Sequence, residues 1–163
     1  MSALPITPAS VDRLLTTLST NPSHIAELIA AIPGARLRER PAAGKWSAHE
    51  HACHLAVVHG IMEARLDRML REDDPVFHPY LPGEQEDDDA LLKLDLEISL
   101  AAYRRDRQAL VERLRALPLA AWARTGRHPE YASYSIYIMY RHIALHDLLH
   151  GYRIEEILLA PVS

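Results

Sequence analysis

Residues 133–159 read SYSIYIMYRHIALHDLLHGYRIEEILL, and the fold turns on how this stretch is read. Its opening part, 134–140, holds three tyrosines and two isoleucines, residue types that favour a pleated strand. The spacing points the other way. Apolar residues continue at intervals of three and four through Ile143, Leu149, Ile154, Ile157 and Leu158, which is the period of a helix buried on one face. The stretch is therefore predicted as one helix, beginning near Ser133 or Ser135 and ending near Leu159.

Three further segments carry the same period. The first includes Val11, Leu14, Leu15, Leu18, Ile25, Leu28, Ile29 and Ile32, with Pro22 expected to kink or split it, because proline lacks an N–H and crowds the preceding turn. The second opens on Ser47-Ala48-His49-Glu50, a capping box in which Ser47 and Glu50 satisfy each other's backbone amides. It runs through Leu55, Val58, Ile61, Met62, Leu66, Met69 and Leu70 towards Asp73-Asp74-Pro75. The third is expected over residues 88–116, with Leu91, Leu94, Ile98, Ala101, Leu110, Leu114 and Leu117 inward. Its acidic start suits the positive end of the helix dipole. Four helices of about 25 residues, each about 37 Å long, make an all-α four-helix bundle the simplest architecture. The connections between helices 2 and 3 and between helices 3 and 4 are long and Pro-rich, and connections of that kind often cover sites.

Composition narrows the function. The chain has 163 residues with no repeat or low-complexity linker, which suits a single domain over residues 1–163. Its net charge of −4 and lack of a dense basic run argue against nucleic acid as a partner. One cysteine excludes an internal disulfide and CxxC-type zinc or redox sites. No basic-then-apolar leader opens the chain, and no apolar run approaches the roughly 18 residues of a membrane span. A soluble cytoplasmic protein without membrane contact is the expectation.

Histidine is the unusual residue, with ten in the chain. His146 and His150 lie four apart on the fourth helix and so share a face, and His142 extends the stripe by a turn. On the second helix His54 sits among Leu55, Val58 and Ile61, near the inward face. One imidazole from helix 2 opposite an HxxxH pair from helix 4 makes a three-nitrogen site with open positions, the arrangement of catalytic rather than structural metal sites. Zinc, nickel or iron would suit it. The remaining candidates read as ordinary. Cys53 is a small buried hydrophobe, and His24 and His78 are solvated. His59 either edges a pocket or is solvated, residues 84–89 are a solvated helix start, and Arg104, Arg105, Arg107, Arg113 and Arg115 form a solvated face. Glu50 is a candidate outer partner for a ligand imidazole, beside backbone carbonyls and water.

The chain also resembles a known family, the DinB/YfiT-like metalloenzymes, over about residues 8–159. The likeness is carried by Gly44-Lys45-Trp46-Ser47, His54 and His59, Asp74-Pro75, Pro79-Tyr80, His128-Pro129-Glu130-Tyr131, and His146 through His150. The YfiT-type branch looks most similar. That branch often has paired histidines where this chain has Cys53-His54 and Leu149-His150, and tryptophans where this chain has residues 81–89. The resemblance implies a four-helix bundle with one divalent ion held by His54, His146 and His150, the same three histidines. It further implies a thiol S-transferase that uses a low-molecular-weight thiol, such as bacillithiol or mycothiol, against small electrophiles. A metal-dependent hydrolase, or a non-catalytic metal-binding stress protein acting through a homodimer, are the other readings.

Overall fold

The computed structural model describes residues 5–80 and 88–161, and its helices are α1 (Pro8–Ala31), α2 (Ala48–Arg71), α3 (Leu96–Arg115) and α4 (Ile136–Leu159). Each begins at an oxygen-bearing cap. Thr7, Ser47, Asp95 and Ser135 accept from the backbone N–H three residues on, filling one of the donors a helix start leaves orphaned. The capping box at Ser47 forms as expected: Ser47 Oγ accepts from the Glu50 N–H at 3.2 Å and the Ser47 N–H donates to Glu50 Oε2 at 2.8 Å. The tyrosine-rich start of α4 is helical. Its strand character survives in the residues before it, where Ser135 forms an isolated bridge with Thr125. Among the described residues there is no sheet.

Two expectations about helix ends change. Helix α3 starts at Leu96, because Asp95 captures the Ile98 amide. Residues 88–90 form a turn and Leu91–Lys93 a 3₁₀ segment. Of the acidic run, residues 84–87 lie outside the described residues, and Asp89 pairs with Arg40 at 3.0 Å. Helix α1 runs unbroken through Pro22. A proline at position 22 leaves the Leu18 carbonyl without its usual donor, and the Arg107 guanidinium supplies one at 3.5 Å.

The inward face of α3 also differs. Leu94 and Ile98 are exposed, as is Ala101, and the buried stripe is Tyr103, Arg107, Leu110, Val111 and Leu114. On α4, Leu149 is exposed together with Leu145, Leu148 and Tyr152.

Helix α1 packs against α3 and α4, and α2 packs against the same two, so α1 and α2 lie on one diagonal and α3 and α4 on the other. Two connections therefore link helices that are not neighbours, and all three are long. The α1–α2 connection uses its length to close α4: Arg36 donates to the Ile157 carbonyl at 2.8 Å. The α3–α4 connection closes α2 in the same way, with Arg124 donating to the carbonyls of Met69 and Glu72. It also joins the α2–α3 connection through Phe77 N–H to Arg127 O and Arg127 N–H to Pro75 O, both 2.8 Å. Gly126 permits this approach, since a Cβ there would lie 2.6 Å from Phe77 Cε2 and 2.9 Å from the Pro75 carbonyl.

The core falls into two apolar clusters, one around Leu18, Leu66, Leu114 and Tyr140, the other around Ile25, Leu55, Tyr103 and Ile154. Between them in sequence register lies a buried polar layer with one residue from each helix: Asn21, His59, Arg107 and Asp147. Arg107 donates to both Asp147 oxygens, at 2.5 and 3.3 Å, and to His59 Nδ1 at 3.4 Å, while Asn21 Nδ2 reaches Asp147 Oδ2 at 3.1 Å. Arg107 is thus no part of a solvated face. Nor is His59 solvated or at a pocket edge: it is buried, and burial beside the Arg107 cation holds it neutral, its pKa pushed down to about 4.

Candidate metal centre

Helices α2 and α4 are neighbours, and their facing surfaces bring three imidazoles together. His54 Nε2 lies 3.3 Å from His146 Nε2, and His150 Nε2 lies 3.1 Å from the same atom. All three nitrogens fall within 4.8 Å of one another, and His54 and His150 are buried with His146 half-buried. The i,i+4 spacing on α4 does what its geometry requires, and His54 faces it because Leu55 and Val58 turn the flanking surface of α2 into the core.

These separations suit a shared ion. Two nitrogens each bound at about 2.0–2.1 Å to one cation lie about 3.0–3.4 Å apart. Three nitrogen lone pairs aimed at one point repel each other unless a cation lies among them. Burial first, and then the neighbouring histidines, push His54 down to about 3 and His150 to about 2. Burial lowers His146 as well. All three are neutral imidazoles at neutral pH, which is the ligating form. With the lone pairs at Nε2, each ring carries its proton on Nδ1.

The outer partners are not where the sequence suggests. Glu50 turns away from His54 and is held by Arg40 and by Ser47. The side chain that does reach one of the three imidazoles is His51, whose Nδ1 lies 2.8 Å from His150 Nδ1. Sequence reasoning passed over it, although its spacing of three from His54 places both rings on one side of α2. The Nδ1 atoms of His54 and His146 are buried without a hydrogen-bond partner among the described residues.

Beside the imidazoles lies a cavity of about 250 Å³. Trp46 and Tyr80 stand over the histidines, the indole stacked on His150 at 5.9 Å and the phenol stacked on His54 at 6.2 Å. The far wall comes from the α3–α4 connection and the start of α4, with His128, Glu130, Tyr131, Tyr134 and His142. Both Pro-rich connections therefore contribute to the site, as their length suggested. His142 lines the cavity without joining the three nitrogens, and Tyr131 Oη lies 3.3 Å from its ring nitrogens. Cys53 is buried, with its thiol pKa raised by burial, and takes no part; His24 and His78 are exposed. Among the described residues no helix is long and apolar enough to cross a membrane.

The comparisons with known proteins agree with this architecture. No curated protein sequence matches the chain. Among solved structures, it is similar to YfiT from Bacillus subtilis, described as a probable metal-dependent hydrolase with an unusual four-helix bundle topology. The TM-score is 0.85 at 21% identity, covering 96% of this chain and 90% of that one. It is also similar to the colibactin self-resistance protein ClbS, solved in complex with a double-stranded DNA, at a TM-score of 0.66 and 15% identity over 98% of this chain and 100% of that one. At these identities the likeness speaks for the fold. The sequence model of the DinB superfamily matches residues 17–154, from the first helix through the histidine pair of the last, and the chain belongs to that superfamily.

Proposed function

We propose that the protein is a divalent-metal-dependent enzyme that transfers a low-molecular-weight thiol onto small electrophiles. The observation that carries the metal-dependent part is the convergence of three neutral imidazole Nε2 atoms in the lining of a cavity of about 250 Å³. A zinc, nickel or iron ion bound there supplies Lewis acidity, lowering the pKa of a thiol or water at its open positions and so making a nucleophile at neutral pH.

The chain's own residues support the rest. Val58, Met62, Tyr134, Met139 and Ile143 give the cavity an apolar lining suited to a soft, poorly hydrated reactant. Trp46 and Tyr80 shield the imidazoles from bulk water. Burial lowers the His142 pKa, so this ring is neutral and able to take the nucleophile's proton at a ring nitrogen, with the Tyr131 hydroxyl beside it.

The test loads the protein separately with Zn²⁺, Ni²⁺ and Fe²⁺ and follows consumption of a small thiol with an aryl chloride electrophile. Thiol conjugation that is lost in His54→Ala and His146→Ala, with the helical spectrum intact, is the expected result. A hydrolase is the second reading, favoured by the description of YfiT. It is selected if ester cleavage proceeds without thiol and conjugation is absent. Metal uptake with neither activity would leave a metal-binding protein and overturn the enzymatic reading.

A further inference from the structure

Trp46 and His51 form a wall with two sides. On one side is the histidine cavity, and on the other a second cavity of about 420 Å³, floored by Trp46, Ile157 and Ala160 and edged by Lys45 and Arg153. Trp46 lines both cavities, whereas His51 lines the second and His150 the first.

The hydrogen bond through this wall has a direction. His51 Nδ1 and His150 Nδ1 lie 2.8 Å apart, so one proton lies between them. His150 directs its Nε2 at His146 Nε2. If that Nε2 keeps its lone pair for an ion, the proton of His150 sits on Nδ1, and His150 donates while His51 accepts. A neutral His51 then carries its own proton on Nε2, at the far edge of its ring. The second cavity thereby offers the His51 N–H beside the Lys45 ammonium and the Arg153 guanidinium. Glu156 also lines it and pairs with Arg153 at 2.7 Å, which leaves one net positive charge over an apolar floor.

We propose that the second cavity binds a small amphipathic anion, an aryl or alkyl carboxylate or sulfonate, and that its occupant tunes the metal centre through the His51–His150 hydrogen bond. An acceptor on His51 Nε2–H makes His51 Nδ1 a stronger acceptor, and His150 Nε2 in turn a better electron donor, as a carboxylate does behind a metal-bound histidine. The coupling rests on the metal reading above, whereas the binding of the anion stands without it. By linkage the effect is reciprocal: the anion tightens metal binding by the same factor as metal tightens the anion.

The probe is 8-anilinonaphthalene-1-sulfonate, titrated by fluorescence into the metal-free chain. Zinc affinity is measured by competition with a chromophoric chelator, with and without saturating probe. One probe molecule per chain is expected, weakened about tenfold or more by Lys45→Glu and by Ala160→Trp, which fills the cavity. Saturating probe should tighten zinc about fivefold, the lower end of ordinary coupling. His51→Phe should lower zinc affinity about 10- to 100-fold. His51→Asn keeps an acceptor where Nδ1 stood and nothing where Nε2 stood, so it should retain zinc affinity within about threefold and lose the coupling to the probe. Probe binding unmoved by both Lys45→Glu and Ala160→Trp would overturn the site. Zinc affinity indifferent to the probe, or coupling that persists in His51→Asn, would overturn the relay. Failure of the parent chain to bind zinc, nickel or iron would refute the metal reading and the coupling together, while the metal-free titration would still decide whether the cavity binds the anion.

Discussion

Replacing Arg107 with methionine tests whether the polar layer is held by its buried ion pair. The side chains of Arg107 and Asp147 are 1% and 2% exposed, so water cannot take over for a missing partner. Without the guanidinium, the Asp147 carboxylate keeps the Asn21 amide but has no countercharge, and the Leu18 carbonyl freed by Pro22 has lost the donor Arg107 provided. Removing one partner of a buried pair costs about 3–5 kcal/mol. An unpaired buried carbonyl adds about 1–3 kcal/mol. The sum is a large share of the roughly 5–15 kcal/mol that holds a domain folded. The double variant Arg107→Met/Asp147→Leu removes both charges and should regain most of the loss, since apolar groups of similar volume often replace a buried pair at little cost. It should still fall short of the parent, because the Leu18 carbonyl remains unpaired and the Asn21 amide keeps only the Ala144 carbonyl of its two acceptors. Urea unfolding followed by circular dichroism at pH 7.5, with chelator present, gives the order parent, double variant, single variant. A loss under about 1 kcal/mol in the single variant, well below the range for a broken buried pair, or a double variant no more stable than the single, would refute the argument.

Other expectations follow from the same geometry. Zinc at 100 times its dissociation constant should stabilise the parent by about 2.7 kcal/mol, and this gain should vanish in His150→Ala; thermal melts with and without zinc measure it. Burial holds His51 and His59 to about 4 and His54 to about 3, below the roughly 6.5 of an exposed ring. The unfolded chain therefore takes up these protons first. The metal-free protein should be fully stable above about pH 6.5 and lose about 1.4 kcal/mol per pH unit for each such histidine as the pH falls towards 4; urea midpoints flat across that window would contradict it. Ser47→Ala should cost about 1–2 kcal/mol by removing the cap of α2, read in the same urea assay. Gly126→Ala should cost about 1–3 kcal/mol by forcing Phe77 and the Pro75 carbonyl aside, and it should loosen the loops that carry Tyr80 and His128, seen as faster amide exchange there.

The helices were legible because their signals are local. Ser47 and Glu50 lie one turn apart, and the period through Ile143 and Ile154 needs only neighbouring residues. The meeting of His54, His146 and His150 was legible for a related reason: an HxxxH pair on one helix needs just one facing imidazole to bring three nitrogens together. What escaped depends on distant partners. Arg107 sits among four other arginines of α3, and an arginine in such company reads as solvated. Its burial is made tolerable by Asp147 on α4 and by a carbonyl on α1 that Pro22 released. Only the spacing from Tyr103 through Arg107 to Leu110 and Leu114 hinted at the true inward face. His51 escaped because its value lies in one hydrogen bond across the helix interface, and Glu50 misled because the capping box and Arg40 already use its carboxylate.

The diagonal placement of α1 against α2 bears on how the chain acquires its fold during synthesis. The first two helices to emerge do not bury their apolar stripes on each other, because the main neighbours of both are α3 and α4. The earliest native pair that joins consecutive helices is α2 with α3. Helix α1 must wait for α3, and through α4 for segments more than a hundred residues downstream, as the Asn21–Asp147 contact illustrates. Contacts of such long separation slow folding relative to an up-and-down bundle, in which each helix packs on the one before it. The apolar stripe of α1 is accordingly the surface a nascent chain leaves uncovered longest, and the one that most needs chaperone cover until the last helix arrives.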